Sequence, residues 1–385
     1  MDSYFAVTAP GLEPFTTLEL SALGLLSVPG VESASAGGVA FKGDLLALYR
    51  ANLQLRTASR ILARLGTFFY ATTFQELQKR ASRLPWERCI TPGQPIAMRV
   101  TCHQSKLYHS DAVARSVLAG LEERLGQASP LVKADEESAG HPPQLVIVRL
   151  VDDKCTVSVD SSGELLHKRG YRLAVAKAPL RETLAAALLM ASGWDQSAAL
   201  LDPFCGSGTI PIEAAMMRLG IPPGLNRRFA FMDWPGYEPL TFSNQLSAFS
   251  RPKAEDGMMT NEPTILASDR DAGAIKMAHA NAGRAGVEDF IEFKCQAVSS
   301  VTPPARPGWV VTNPPYGLRV SQGNDLRNLY AQFGNVLRRQ CPGWKVAVLC
   351  NDAMLLGQMQ MDLDTSLGFV NGGIGVRVAR GEIQA

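Results

Sequence analysis

Residues 197–218, SAALLDPFCGSGTIPIEAAMMR, limit the fold more than any other stretch of this chain. The apolar run 198–201 reads as a strand. It leads into Asp202-Pro203-Phe204-Cys205-Gly206-Ser207-Gly208-Thr209, and a helix is expected from about Ile210. Pro211 falls in the first turn, where its missing N–H costs little. Strand, glycine loop and helix make the first βα unit of an open α/β sheet, and such sheets bind ligands at the carboxyl ends of their strands. Gly206 and Gly208 allow backbone to approach a ligand closely. The spacing matches neither G-x-G-x-x-G nor G-x-x-x-x-G-K-[ST], which excludes the usual dinucleotide and phosphate loops. Asp202 at the strand end would repel a pyrophosphate and suits a cationic group.

The chain beyond extends the same sheet. PTILASDRD (263–271) reads as a second strand ending in acids. An acid at that tip can bind both hydroxyls of a ribose. Asp269 is expected there beside Arg270, with Asp271 as the second choice or as the cap of a helix over 272–285. Gly286 ends that helix. FIEFKCQA (290–297) reads as a third strand. In WVVTNPPYGLRV (309–320) an apolar strand delivers Asn313-Pro314-Pro315-Tyr316 to the rim that carries the glycine loop. An exocyclic amine is a poor nucleophile because its lone pair is delocalised into the ring. The Asn313 side-chain oxygen and the Pro314 carbonyl can accept its N–H groups and stabilise positive charge developing on nitrogen. Pro315 stiffens that presentation and Tyr316 offers a ring for stacking. A helix over 325–339, a strand over 345–350 and a hairpin over 366–381, turning at Asn371-Gly372, complete this half.

DPFCGSGT closely resembles the cofactor motif of class I methyltransferases that act on planar amines, and the N-P-P-Y motif follows it by about 110 residues. The resemblance implies a Rossmann-like, mostly parallel seven-stranded sheet and S-adenosylmethionine as methyl donor, with S-adenosylhomocysteine as product. Relatives commonly carry an Asp after the third strand for the adenine amine. Gln296 and Ala297 stand in that slot here, so a backbone group would have to serve. Upstream, the run RGYR…APLRE is shared with linked methyltransferases and implies that Pro179, Leu180 and Arg181 cover the methionine end. Adenine amines, guanine 2-amines and protein glutamine amides all remain open as targets of the motif pair.

The N-terminal half differs in character. Strands are expected at 4–9, 39–43 and 96–102, and as a hairpin over 145–160 turning at Asp152-Asp153. Helices are expected at 14–25, 44–53, 73–82 and 110–124, and a loop over 130–143. This is a two-layer α+β unit. Residues 51–115 hold 10 Lys/Arg against 3 Asp/Glu, while the whole chain is only +2. A concentrated basic surface suits a polyanion. Residues 56–90 and 99–117 resemble a THUMP domain preceded by its ferredoxin-like partner, and Ser105, Lys106, Leu107 and His109 match its S-K-L-x-H run. That resemblance implies RNA binding. Arg56, Arg60, Arg64, Lys79, Arg83 and Lys106 are candidate phosphate contacts, with Ser105 and His109 alongside. In the joining run His167 to Arg172, Lys168, Arg169, Tyr171 and Arg172 are further candidates. The aromatic-rich stretch 220–262 reads either as a surface flap or as a substrate element.

Across its whole length the sequence resembles the THUMP-linked guanine-2-amine RNA methyltransferases, in particular the amino-terminal half of the bifunctional enzymes for 23S ribosomal RNA. The expected division is 1–55 ferredoxin-like, 56–162 THUMP and 163–385 methyltransferase. Ribosomal RNA is the expected partner and transfer RNA the alternative. A composition of 46% hydrophobic and 19% charged residues excludes a disordered chain. No apolar run of about 18 residues exists, so no membrane partner is expected. Met1-Asp2-Ser3 lacks a secretory pattern, and the seven Cys include no C-x-x-C, which fits the cytoplasm. Five His and seven Cys show no metal-ligand spacing, so no metal is expected. No obligate protein partner is evident.

Overall fold

The computed structural model describes residues 2–26, 34–35, 37–133, 143–172, 180–249, 265–316, 326–371 and 373–384. The N-terminal half runs β1 (Asp2–Thr8), α1 (Glu13–Ala22), β2 (Ala34–Ser35), β3 (Gly38–Gly43), α2 (Leu45–Gln54), β4 (Ala58–Arg64), β5 (Phe69–Tyr70), α3 (Phe74–Ala81), β6 (Ile96–His103), α4 (Ser110–Leu125), β7 (Leu131–Val132), β8 (Gln144–Val151) and β9 (Lys154–Asp160). Local chemistry sets the helix starts. Asp44 caps α2 by accepting from Ala47 N at 2.9 Å. Thr73 caps α3 while Glu76 reaches back to Thr72 N. The hairpin turns at Asp152 and Asp153, whose φ values of 52° and 62° are those of a two-residue hairpin turn.

The strands form one sheet in the order β2-β3-β1-β4-β9-β8-β6-β7, with β5 on β9. β4 pairs antiparallel with both β1 and β9, so the sheet is continuous past residue 56. The sequence reading placed no strand at β4 or β5. Arg60 and Arg64 interrupt the apolar pattern of β4, and Arg60 is tolerated there because it pairs with buried Asp160. Within the stretch expected to be a loop, β7 adds to β6, and residues 134–142 lie outside the described residues.

The C-terminal half contains α5 (Glu182–Ser192), β10 (Leu200–Asp202), α6 (Thr209–Arg218), α7 (Pro239–Ser247), β11 (Ile265–Asp269), α8 (Ala272–Ala285), β12 (Ile291–Cys295), β13 (Trp309–Thr312), α9 (Arg327–Gln340), β14 (Lys345–Cys350), α10 (Ala353–Gln358), β15 (Asp364–Asn371) and β16 (Ile374–Glu382). The sheet order is β12-β11-β10-β13-β14-β16-β15. The first five strands are parallel; β14 to β16 and β16 to β15 are antiparallel. This is the Rossmann-like sheet expected from the sequence, including the terminal hairpin. Residues of α5, α6 and α8 pack on one face, and those of α9 and α10 on the other. Each fully buried large side chain, such as Phe333 or Leu337, contributes about 1.5–3 kcal/mol. No described helix is long and apolar enough to cross a membrane.

The stretch after α6 corrects the sequence reading. Up to residue 249 it is not a surface flap with its own apolar cluster. Phe229, Phe231, Trp234 and Phe242 are buried in the N-terminal core. Phe231 packs tilted against Tyr49 of α2 with ring centroids 4.7 Å apart. Trp234 Nε1 donates to Gln144 Oε1 at 2.8 Å, and Gly224 N donates to Leu53 O at 2.9 Å. The insertion therefore braces one half of the molecule against the other. Residues 250–264 lie outside the described part. A second seam joins Pro10 O to Val370 N, where Gly11 (φ +94°) leaves no room for a Cβ against Gly368 O.

Candidate active site

Parallel pairing of β10 with β13, Leu200 against Trp309 and Leu201 against Val310, brings two loops out on one rim. The link is direct: Thr312 Oγ1 donates to Asp202 Oδ1 at 2.6 Å. The geometric condition set by the sequence is met, since residues 202–208 and 313–316 leave adjacent strands at the same edge.

Asp202 is 1% exposed. Its Oδ1 also accepts from Phe204 N at 3.2 Å, but its Oδ2 has no hydrogen-bond partner. Burial pushes its carboxyl up to about 7, against the Thr312 hydroxyl, which holds it down. A buried carboxylate with one free oxygen is costly unless something cationic meets it. In the loop, Gly206 and Gly208 have φ values of +53° and +87°, which favour glycine. Nothing would meet a Cβ on Gly206, whereas one on Gly208 would lie 3.1 Å from the Ala278 Cβ. Gly208 also begins α6 without a side-chain cap. Cys205 N donates to Ser268 O, and Asn281 Nδ2 holds Ser207 O at 3.0 Å. Pro203, Ser207 and Thr209 are buried; Phe204 is half-buried and meets Phe333 edge-on. The Cys205 thiol is raised well above its usual range by burial, which leaves it inert as a nucleophile.

Asp269 ends β11 across from the loop. Its Oδ2 accepts from Gly206 N at 3.0 Å and its Oδ1 from Asp271 N. Asp271 caps α8 through Gly273 N and Ala274 N. Arg270 is exposed. Gln296 N donates to Asp269 O, and the Gln296 side chain lines a groove with Leu201, Ser268, Lys294 and Val301. Ser268 Oγ is buried without a partner. Ala297 is exposed beside it. Leu180 is buried, Arg181 exposed, and Pro179 lies outside the described residues. Arg172 fastens this edge by donating to Leu180 O at 2.8 Å and to Glu182 at 3.0 Å.

Asn313 Oδ1 is buried and has no hydrogen-bond partner. Pro314 is buried, and the Pro315 carbonyl accepts from Tyr330 Oη at 3.3 Å. Tyr316 is half-buried and touches both helical layers. Two acceptor oxygens, Asp202 Oδ2 and Asn313 Oδ1, are thus held without partners on neighbouring strands. No group of His, Cys, Asp and Glu fit to hold a metal occurs among the described residues.

The expected RNA contacts divide in two. Lys79, Arg83, Lys106, His109 and Lys168 are exposed, Arg64 and Ser105 half-buried. Arg64 lies over the Phe5 ring, Lys168 pairs with Glu164, and Ser105 ties its loop to Asp153. The rest are corrections. Arg56 donates to Ile221 O at 2.6 Å inside the junction of the two halves. Arg60 pairs with Asp160 and donates to Gly163 O. Arg169 and Tyr171 are 3% and 2% exposed, and Arg172 is tied to Glu182. These polar groups are engaged with internal partners and cannot meet phosphate without breaking them. His167 is no cation at neutral pH: burial, with Arg181 and Arg169 nearby, pushes it down to about 4. Three exposed rings carried no sequence signal of their own. Phe68, Tyr70 and Tyr108 are 48%, 61% and 69% exposed; Phe68 and Tyr70 meet edge-on, Tyr108 lies against His109, and Lys154 lies over Phe68 at 3.6 Å.

Comparison with known proteins agrees with this architecture. Family profiles match residues 3–62 as the RlmL ferredoxin-like domain, 71–160 as the THUMP domain and 169–379 as an RMKL-like methyltransferase domain. The chain is 36% identical to the ribosomal RNA large subunit methyltransferase K/L of Methylococcus capsulatus over 92% of its own length and 48% of that protein's. It is 32% identical to a candidate RNA methyltransferase of Synechocystis sp., over 96% of this chain and 94% of that one. It spans about half of the first relative and nearly all of the second. The crystal structure of SMU.472, a candidate methyltransferase complexed with SAH, superposes with a TM-score of 0.84 at 28% identity, covering 100% of this chain and 98% of that one.

Proposed function

Because the chain belongs to the RMKL-like methyltransferase family and carries that family's THUMP and ferredoxin-like parts, we propose that it methylates the 2-amino group of a guanosine in 23S ribosomal RNA. The observation that carries the methyl transfer in this reading is the Thr312–Asp202 hydrogen bond, which holds the two motif loops to one rim; the RNA target rests on the family and its relatives.

S-adenosylmethionine, when bound, supplies an electrophilic methyl group on a sulfonium. Asp202 Oδ2 is the acceptor for its cationic amino acid end, and Asp269 for the ribose. SMU.472 was solved with SAH, which supports this donor. Gln296 and Ala297 border the adenine side, with Ser268 Oγ as an added polar group. Leu180 and Arg181 flank the methionine end. Asn313 Oδ1 and the Pro314 carbonyl accept the N–H groups of the target amine and steady the charge growing on its nitrogen. Tyr316 stacks on the base. Neither acceptor is basic enough to keep a proton, so it leaves to water after transfer. The exposed cations Lys79, Arg83, Lys106 and Lys168, with His109, position the RNA backbone. Phe68, Tyr70 and Tyr108 offer faces for unpaired bases. In this reading 1–55 and 56–162 bind and 163–385 reacts, in the cytoplasm.

Transfer of tritium from labelled cofactor into deproteinised RNA, DNA and protein, followed by nucleoside analysis, tests it. Label in N2-methylguanosine of 23S ribosomal RNA is expected. The same nucleoside in transfer RNA would correct the substrate. Label only in N6-methyladenine or in protein would overturn the reading.

A further inference from the structure

At the junction of the two halves lies a buried network that the proposed reaction does not use. Glu213 stands on α6 just beyond the glycine loop and is 0% exposed. Its Oε1 accepts from Tyr171 Oη at 3.2 Å and from Arg169 Nε at 3.4 Å. Its Oε2 lies 3.8 Å from Arg56 Nη1, and neither of these two atoms has a hydrogen-bond partner. Arg56 belongs to the N-terminal half, where its backbone N–H donates to Glu19 of α1 at 2.7 Å. From Tyr171 the chain of contacts turns toward the cofactor loop. Tyr171 O accepts from Arg284 Nε at 2.7 Å, Arg284 donates to Asn281 Oδ1, and Asn281 Nδ2 donates to Ser207 O.

We propose that Glu213 is a positioning residue: through Tyr171, Arg284 and Asn281 it makes the shape of loop 202–209 depend on how the N-terminal half is seated. This rests on the reading that the loop holds the cofactor. Each link is satisfied on both sides except the first, where Arg56 Nη1 and Glu213 Oε2 face each other just beyond hydrogen-bonding range. Buried charges feel each other strongly because little water screens them. A sub-ångström shift of the N-terminal half, as its RNA docks, would therefore tighten or release the carboxylate that orients Tyr171. An interface that served cohesion alone would have no need to continue through α8 to Ser207, a residue that touches no part of the N-terminal half in the described hydrogen bonds.

The test is a double-mutant cycle read as affinity for S-adenosylhomocysteine, by calorimetry on the full chain well below its melting temperature. Arg56→Met and Arg284→Met are each expected to weaken binding about five-fold or more, within the range of coupling along such networks. The double variant is expected to be no weaker than the weaker single. If Arg56→Met lowers the melting temperature but leaves the affinity within about two-fold, the network is cohesive only and the proposal falls. A double variant whose loss is the product of the two singles overturns it equally. Should Arg56→Met fold poorly, Arg56→Lys keeps the buried cation but not the fork, and a loss of about two- to five-fold is expected; an unchanged affinity overturns the proposal. Asp202→Asn is the control for the underlying reading. If that variant binds as tightly as the parent, the loop does not hold the cofactor, and the relay fails for that separate reason.

Discussion

Thr312→Val removes one hydroxyl and almost no volume. Both partners are buried: Thr312 is 0% exposed and Asp202 1%. The lost bond, 2.6 Å to a carboxylate, is of the class that contributes about 1.5–3 kcal/mol. At 1.36 kcal/mol per pH unit this lifts the Asp202 carboxyl by roughly one to two units. Burial has already pushed it up to about 7. In the parent about half the protein carries the charged form at pH 7; in the variant only about 1–9% does. If the ionised carboxylate receives the cofactor's ammonium, the apparent dissociation constant rises by the inverse of that fraction, roughly 5- to 50-fold at pH 7. By about pH 9.5 the two proteins converge to within roughly 1.5-fold. Thr312→Ser, which keeps the donor, follows the parent. Calorimetric titration with S-adenosylhomocysteine between about pH 6 and 9.5 reads all three. Parallel curves for parent and Thr312→Val, or a parent affinity that does not fall with acid, would refute the argument.

Asn313→Ala should lower kcat by about 10²–10³-fold with cofactor affinity unchanged, since Asn313 Oδ1 has no internal partner to lose; single-turnover methyl transfer and calorimetry separate the two. Gly208→Ala combines a φ of +87° with a Cβ 3.1 Å from Ala278 and should cost about 2–3 kcal/mol in urea denaturation, against about 1 kcal/mol for Gly206→Ala, whose Cβ meets open space. Neutralising Lys79, Arg83 and Lys106 together should weaken RNA binding and flatten its salt dependence by about three charges. Arg60→Ala should instead destabilise the fold, because it strands Asp160 in the interior, and leave the salt slope as it was.

The catalytic half was legible because its signals are local. A strand, two glycines at fixed offsets and a helix specify one βα unit. The Asp-Pro-Phe and Asn-Pro-Pro tips fall at strand ends because Pro cannot continue a ladder. What stayed hidden depends on contacts between distant segments. Arg56, Arg60, Arg169 and Tyr171 look like surface groups in sequence, because only Glu213 and Asp160, far along the chain, reveal that they are interior. β4 was hidden for the same reason. The aromatic insertion reads as a flap until its rings are seen against Tyr49. Thr312 carries no motif at all; its value arises from the parallel register that sets it beside Asp202. The exposed rings at 68, 70 and 108 were legible as residues, but large apolar side chains are normally read as core, and only the folded structure shows these three at the surface.

The most direct measurement is the position of S-adenosylhomocysteine in crystals of this chain soaked with it. The ammonium is expected against Asp202 Oδ2, the ribose against Asp269, and the sulfur turned toward Asn313, leaving about one methyl group and one amine between them. A ligand bound elsewhere, or one whose sulfur faces away from residues 313–316, would contradict this placement.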